Sequence, residues 1–167
     1  AERGTMFDPG PCVYMEKLAG GADIADLLDL DVGIDEVIAK VAERRGIPTG
    51  DVTVVVLDRP RHEEGIAAIR DAGARVRLIS DGDVSAALLA VSERTPVDLL
   101  WGIGGTPEGV IAAAAIKCIG GQLVGRLWPR DDAERQAAID AGYDLDRQLT
   151  VDDLVRSDDC FFSATGV

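Results

Sequence analysis

The chain has 167 residues, 47% of them apolar, and thirty acidic against seventeen basic residues give a net charge of −13, so it is long enough for one domain with a proper core and too acidic for nucleic acid or an anionic membrane as its main partner. Local arginines or a metal leave room for a small anionic ligand. Three widely spaced cysteines (Cys12, Cys118 and Cys160) without a C-x-x-C pair fit a reducing, cytoplasmic compartment and neither a disulfide frame nor a zinc site, and no apolar run reaches the roughly 18 residues of a membrane span.

Residues 1–21 open irregularly, with Asp8-Pro9-Gly10-Pro11 as turn chemistry, and Cys12 to Leu18 alternates enough for a strand. Asp23 to Asp31 is a short acidic stretch carrying leucines. Ile34, Val37, Ile38 and Val41 share one face of a helix from about Gly33 to Arg45, closed by Gly46, and a packing role accounts for it.

From Asp51 the organisation becomes regular. Val52 to Leu57 is a β-branched run too apolar to have a wet face, as expected of a central parallel strand, and it ends in Asp58-Arg59-Pro60-Arg61-His62. A helix carrying Ile66, Ile69 and Ala72 leads to a strand from Ala74 to Ile79, which ends in Ser80-Asp81-Gly82-Asp83. A helix with Ala86, Leu89 and Ala90 precedes the strand Val97 to Trp101. The glycine turn Gly102-Ile103-Gly104-Gly105 then opens an alanine-rich helix, with Thr106 as N-cap, Pro107 in the first turn and Glu108 where the helix dipole favours a negative charge. Gln122 to Leu127 reads as the next strand, ending in Trp128-Pro129-Arg130-Asp131. A polar helix covers about Asp132 to Ala141, and Arg147-Gln148-Leu149 and Cys160 to Ser163 read as late strands.

Asp58, Asp81, Gly104 and Leu127 fall 23 residues apart, about one βα unit per step. Right-handed strand-helix-strand units put every strand's C-terminal end on one edge of the sheet, where open α/β sheets bind ligands. Arg59-Pro60-Arg61, Asp81-Gly82-Asp83 and Gly104 to Glu108 are therefore expected along one rim. Guanidinium forks grip phosphate, paired aspartates accept from sugar hydroxyls or touch metal, and exposed backbone N–H groups beside Glu108 suit an anion bridged to a cation. Each feature alone has a plainer reading: arginines after strands are usually just solvated, Asx turns and N-caps account equally well for the aspartates, and glycine turns commonly punctuate α/β folds. The glycine stretch also fits neither the dinucleotide fingerprint nor a P-loop. His62, the only histidine, reads as a polar surface residue, Trp101 and Trp128 as core plugs, and Tyr14 as either packing or a phosphate contact.

Glu2-Arg3-Gly4-x-Met6-Phe7-Asp8-Pro9-Gly10-Pro11, Tyr14-Met15-Glu16-Lys17, Arg59-Pro60-Arg61-His62, Ile79 to Val84 and Gly102 to Val110 together resemble the bacterial class II fructose-1,6-bisphosphatases, in the family's order and over nearly the whole chain. The resemblance implies the lithium-sensitive, metal-dependent sugar phosphatase superfamily, with Mg or Mn as cofactor and metal-activated water removing the 1-phosphate of fructose 1,6-bisphosphate in gluconeogenesis. It makes Glu108 a metal ligand and gives Tyr14, Arg59, Pro60, Arg61, Asp81, Gly82, Asp83 and Gly105 to the substrate. The family's other metal-binding acids and the threonine that positions the attacking water belong to an N-terminal part with no counterpart here. Catalytic residues therefore stay unassigned, and this segment alone is expected to be inactive.

The expectation is a three-layer α/β/α domain with a mixed, largely parallel sheet. Residues 1–50 would supply a substrate-contacting strand and linking helix, and residues 51–167 the α/β substrate-binding domain, both as part of a longer homo-oligomeric enzyme. Rival readings are a sedoheptulose-1,7-bisphosphatase, an inositol phosphatase, or a non-catalytic sugar-phosphate or receiver-like module; for a receiver, no lysine follows the candidate strands.

Overall fold

The computed structural model describes residues 1–165. Its five-stranded sheet has the order β3-β2-β4-β1-β5, formed by β1 (Tyr14–Gly20), β2 (Thr53–Leu57), β3 (Arg75–Ile79), β4 (Leu99–Gly105) and β5 (Gln122–Leu127). β2 runs parallel to β3 and to β4, while β1 lies antiparallel between β4 and β5. Four strands therefore point one way and one is reversed, as the expectation of a mixed, largely parallel sheet required. Residues before position 51 supply this inserted strand, and hydrophobic packing is continuous across that position.

Helices cover both faces. The face carrying α1 (Ile34–Arg45) and α2 (Glu63–Asp71) buries Val37, Ile38, Val41, Ile66 and Ile69 against Val54 and Val56 of β2. The opposite face carries α3 (Asp83–Val91) and α4 (Thr106–Ile119) against Val55, with the short α6 (Val151–Leu154) beside them, and α5 (Asp132–Asp140) follows β5 and adds Ala138 to that core. Val54, Val55 and Val56 are each 0% exposed, which explains why β2 shows no polar alternation. Each such side chain contributes about 1.5–3 kcal/mol by leaving water. Ala112 to Ala115 are all buried, so α4 lies close against its neighbours.

α1 starts after Gly33 and ends at Gly46, whose φ of +63° accepts the left-handed cap, in line with the sequence. The glycine run behaves differently from expectation. Gly102 to Gly105 belong to β4 and pair with Lys17 to Tyr14, so the strand passes directly into α4 without a turn. Gly105, not Thr106, is the N-cap, and Thr106 is buried, its N–H donating to Val13 O at 2.8 Å and its hydroxyl to Cys12 O at 3.3 Å.

The two late strands do not form. Leu149 makes a single antiparallel bridge to Gly125, and Cys160 to Ser163 is irregular, with Phe161 85% exposed. The acidic stretch after β1 forms a 3₁₀ segment, Ala22–Leu27. No described helix is long and apolar enough to cross a membrane.

Candidate functional site

The chain runs from β2 outward to β3 and then returns to the other side of β2 as β4, so α2 and α3 fall on opposite faces and leave a crevice where the direction reverses. β2 and β4 pair only at Val54–Leu99 and Val55–Leu100, and beyond these they part. A cleft of about 540 Å³ lies at this edge. Tyr14, Leu57, Arg59, Arg61, Asp81, Gly82, Asp83, Gly104, Gly105, Pro107 and Glu108 line it. The rim expected from the strand spacing is thus assembled, and Tyr14 joins it because the reversed β1 begins where the other strands end. Pro60 is the expected site residue that does not line it.

The arginines are held differently. Arg59 donates to Asp58 O at 2.8 Å, to Ser80 O at 2.7 Å and to Asp81 Oδ1 at 3.4 Å, tying the loops after β2 and β3 together. Arg61 is fastened through Nε to Ile103 O at 2.8 Å and lies over the Tyr14 ring, 5.1 Å from its centroid. Trp128 stacks on the same ring at 6.4 Å, so this tryptophan flanks the site and is not the core plug expected of it.

The two aspartates do not face the same way. Gly82, at φ +87°, takes a conformation that side chains disfavour and lets the loop turn sharply into α3. Asp81 stands on the lip with its side chain 88% exposed, whereas Asp83 turns inward to Lys17 Nζ at 2.5 Å. Lys17 also donates to Gly105 O at 3.1 Å. A Cβ on Gly104 would lie 2.8 Å from Asp83 Oδ2, so the close approach of this ion pair requires glycine there.

Lys17 was not legible as a site residue. Its signal was available in the alternation of β1, where it shares a face with Met15 and Ala19, both 0% exposed. A charged residue on such a face needs a partner.

His62 is not a surface residue. It is 0% exposed, its Nδ1–H donates to Leu57 O at 2.7 Å, and its Nε2 accepts from Ile103 N at 2.8 Å. These bonds bridge β2 and β4 where their own ladder has stopped, and they require the neutral tautomer. Burial pushes its pKa below the ordinary value, more than the carbonyl partners pull it up.

Glu108 is exposed on the first turn of α4, with Oε2 accepting from Gly105 N at 3.1 Å. That bond satisfies a free end of the helix and leaves the second oxygen open to the cleft. The described residues contain no group of three or more His, Cys, Asp or Glu able to hold a metal ion. A single carboxylate oxygen does not complete an octahedral magnesium or manganese shell. The described residues therefore supply only part of such a shell, with the second oxygen of Glu108 available to it.

A family model described as bacterial fructose-1,6-bisphosphatase, glpX-encoded, matches residues 1–167. The class 2 fructose-1,6-bisphosphatase of Haemophilus influenzae is 40% identical over 174 residues, covering 96% of this chain and 52% of that protein. The fructose-1,6-bisphosphatase 1 class 2 of Escherichia coli K12 is 37% identical, with the same coverage. The chain spans about half the length of the curated relatives it matches.

Proposed function

Because the chain belongs to the bacterial fructose-1,6-bisphosphatase family, we propose that its cleft binds fructose 1,6-bisphosphate and contributes one metal ligand to hydrolysis of the 1-phosphate in gluconeogenesis, in the cytoplasm. The observation that carries this reading is the convergence of Tyr14, Arg59, Arg61, Asp81 to Asp83, Gly105 and Glu108, from four separate segments, on one cleft.

The roles follow from the chemistry each group offers. Arg61, fixed at Nε, presents its terminal nitrogens as a preset fork for phosphate, and Arg59 holds the neighbouring loops in register. Asp81, exposed on the lip, can accept from sugar hydroxyls beside its long contact to Arg59. Asp83 carries its negative charge to the cleft floor already compensated by Lys17, so it adds an acceptor without repelling a phosphate. Gly105, with no side chain, lets the ligand approach the backbone. Glu108 offers one oxygen to Mg or Mn, and the remaining ligands come from a segment like the half of the relatives that this chain does not match. The ion, when bound, supplies positive charge to the phosphoryl oxygens.

The test is titration of the 167-residue chain with fructose 1,6-bisphosphate, followed through backbone amide NMR signals. Shifts clustered at Tyr14, Arg61, Gly82 and Gly105 support the reading; shifts clustered elsewhere, or none at millimolar ligand, overturn it. Phosphate release should be absent from this chain with manganese alone.

A further inference from the structure

Arg130 lies just past β5, whose C-terminal end shares the edge that holds the cleft. Its Cζ is 5.6 Å from the centroid of the Tyr14 ring, the same ring that Arg61 approaches to 5.1 Å. Both guanidinium groups are anchored by Nε alone: Arg61 on Ile103 O at 2.8 Å, Arg130 on Glu134 Oε2 at 3.1 Å. Their terminal nitrogens have no partner among the described residues. The anchor itself is firm. Glu134 has a side chain only 6% exposed and also accepts from Arg130 N at 2.7 Å and Val13 N at 3.0 Å.

We propose that Arg130 is a phosphate-binding residue that nothing in the sequence had marked: with Arg61 it approaches the Tyr14 ring, and the two free forks close on one phosphate group of the sugar phosphate. Two guanidinium groups held against one ring repel each other, and Glu134 offsets part of that charge on one side only. A dianionic phosphate between the free ends removes the repulsion and meets two pairs of N–H donors in the geometry guanidinium favours. Arg59 is a weaker candidate for this grip, because Asp58 O, Ser80 O and Asp81 already take its donors. The proposal rests on the reading of the cleft as a sugar-phosphate site and adds to it the second arginine.

The experiment uses the 167-residue chain and its variants Arg61→Gln, Arg130→Gln, Arg130→Lys and the double Arg61→Gln/Arg130→Gln, with dissociation constants for fructose 1,6-bisphosphate measured by calorimetry. Each glutamine variant should weaken binding about tenfold or more, as expected for loss of a charge-assisted bond. The double variant should weaken it by less than the product of the singles, since both forks grip one group. Arg130→Lys, which keeps charge but has no fork, should recover only part. Thermal melting should change little in Arg130→Gln, because Glu134 keeps its two backbone donors, and the Arg130 Nε–H NMR signal of the unsubstituted chain should move on addition of inorganic phosphate. If Arg130→Gln binds as tightly as the unsubstituted chain while Arg61→Gln is weakened, the role of Arg130 is overturned and the cleft reading stands. If the unsubstituted chain binds no sugar phosphate, both fall.

Discussion

Lys17 Nζ lies 2.5 Å from Asp83 Oδ2 at the floor of the cleft, and the two side chains are only 4% and 7% exposed. A sealed charge whose partner is removed has neither water nor a counter-ion. Lys17→Met should therefore destabilise the fold by about 3–5 kcal/mol, while Lys17→Met combined with Asp83→Leu should cost clearly less than Lys17→Met alone. Urea unfolding of the unsubstituted chain, Lys17→Met and the double variant measures this, and a double variant no more stable than Lys17→Met would contradict it.

His62 sets a pH dependence whose sign follows from its lowered pKa. The unfolded chain binds a proton near pH 6.5, whereas the folded chain resists it until the pH is lower. The stability due to neutral His62 is thus complete above about pH 6.5 and declines as the pH falls toward the folded-state value. The paired carboxylates with lowered pKa values, such as Asp23 beside Arg45, act at more acidic pH. Between pH 7.5 and 5.5 the unsubstituted chain should lose stability in chemical denaturation, and His62→Gln should show a flatter profile from a lower starting point. His62→Ala should cost about 2–4 kcal/mol, since it empties a buried site and strands Leu57 O and Ile103 N.

Replacing glycine by alanine inside a helix ordinarily stabilises it by about 1 kcal/mol. At Gly65, in α2, the opposite is expected. A Cβ there would stand 2.1 Å from the Trp101 ring, which also packs edge-on against His62 and donates to Glu16 at 3.2 Å. Gly65→Ala should destabilise the chain by about 1–3 kcal/mol and shift the tryptophan fluorescence, both readable in one denaturation series.

Glu108 combines a structural bond with its proposed metal role, and two substitutions separate them. Glu108→Gln keeps an oxygen for Gly105 N and should melt close to the unsubstituted temperature, whereas Glu108→Ala should lose about 1 kcal/mol. In a longer protein that completes the proposed metal site, both should abolish metal-dependent phosphate release. Activity retained by Glu108→Gln would remove Glu108 from the metal site.

The sequence showed most of the rim because the rim depends on local pattern and on crossover handedness. The strands read from the sequence ended at Leu57, Ile79, Trp101 and Leu127, against observed ends at Leu57, Ile79, Gly105 and Leu127. Where β1 would pair could not be read. Its alternation is the same beside any neighbour, so its reversed insertion, which brings Tyr14 to the cleft, appears only in the assembled sheet. Gly102 to Gly105 looked like a turn because what excludes side chains there lies far away in sequence: the His62 ring near Gly102 and the Lys17–Asp83 pair near Gly104. His62 looked like a surface residue for the same reason, since the gap it fills is made by two strands separating. Cys160 to Ser163 had the composition of a strand but pairs with none of the five strands.

The separation of β2 from β4 beyond Val55 and Leu100 gives His62 an importance that its absence from the cleft lining does not suggest. The imidazole acts as a prop of fixed width in a partly unzipped sheet, so a shorter or longer residue at position 62 would retune the aperture of the cleft without altering one atom of its lining.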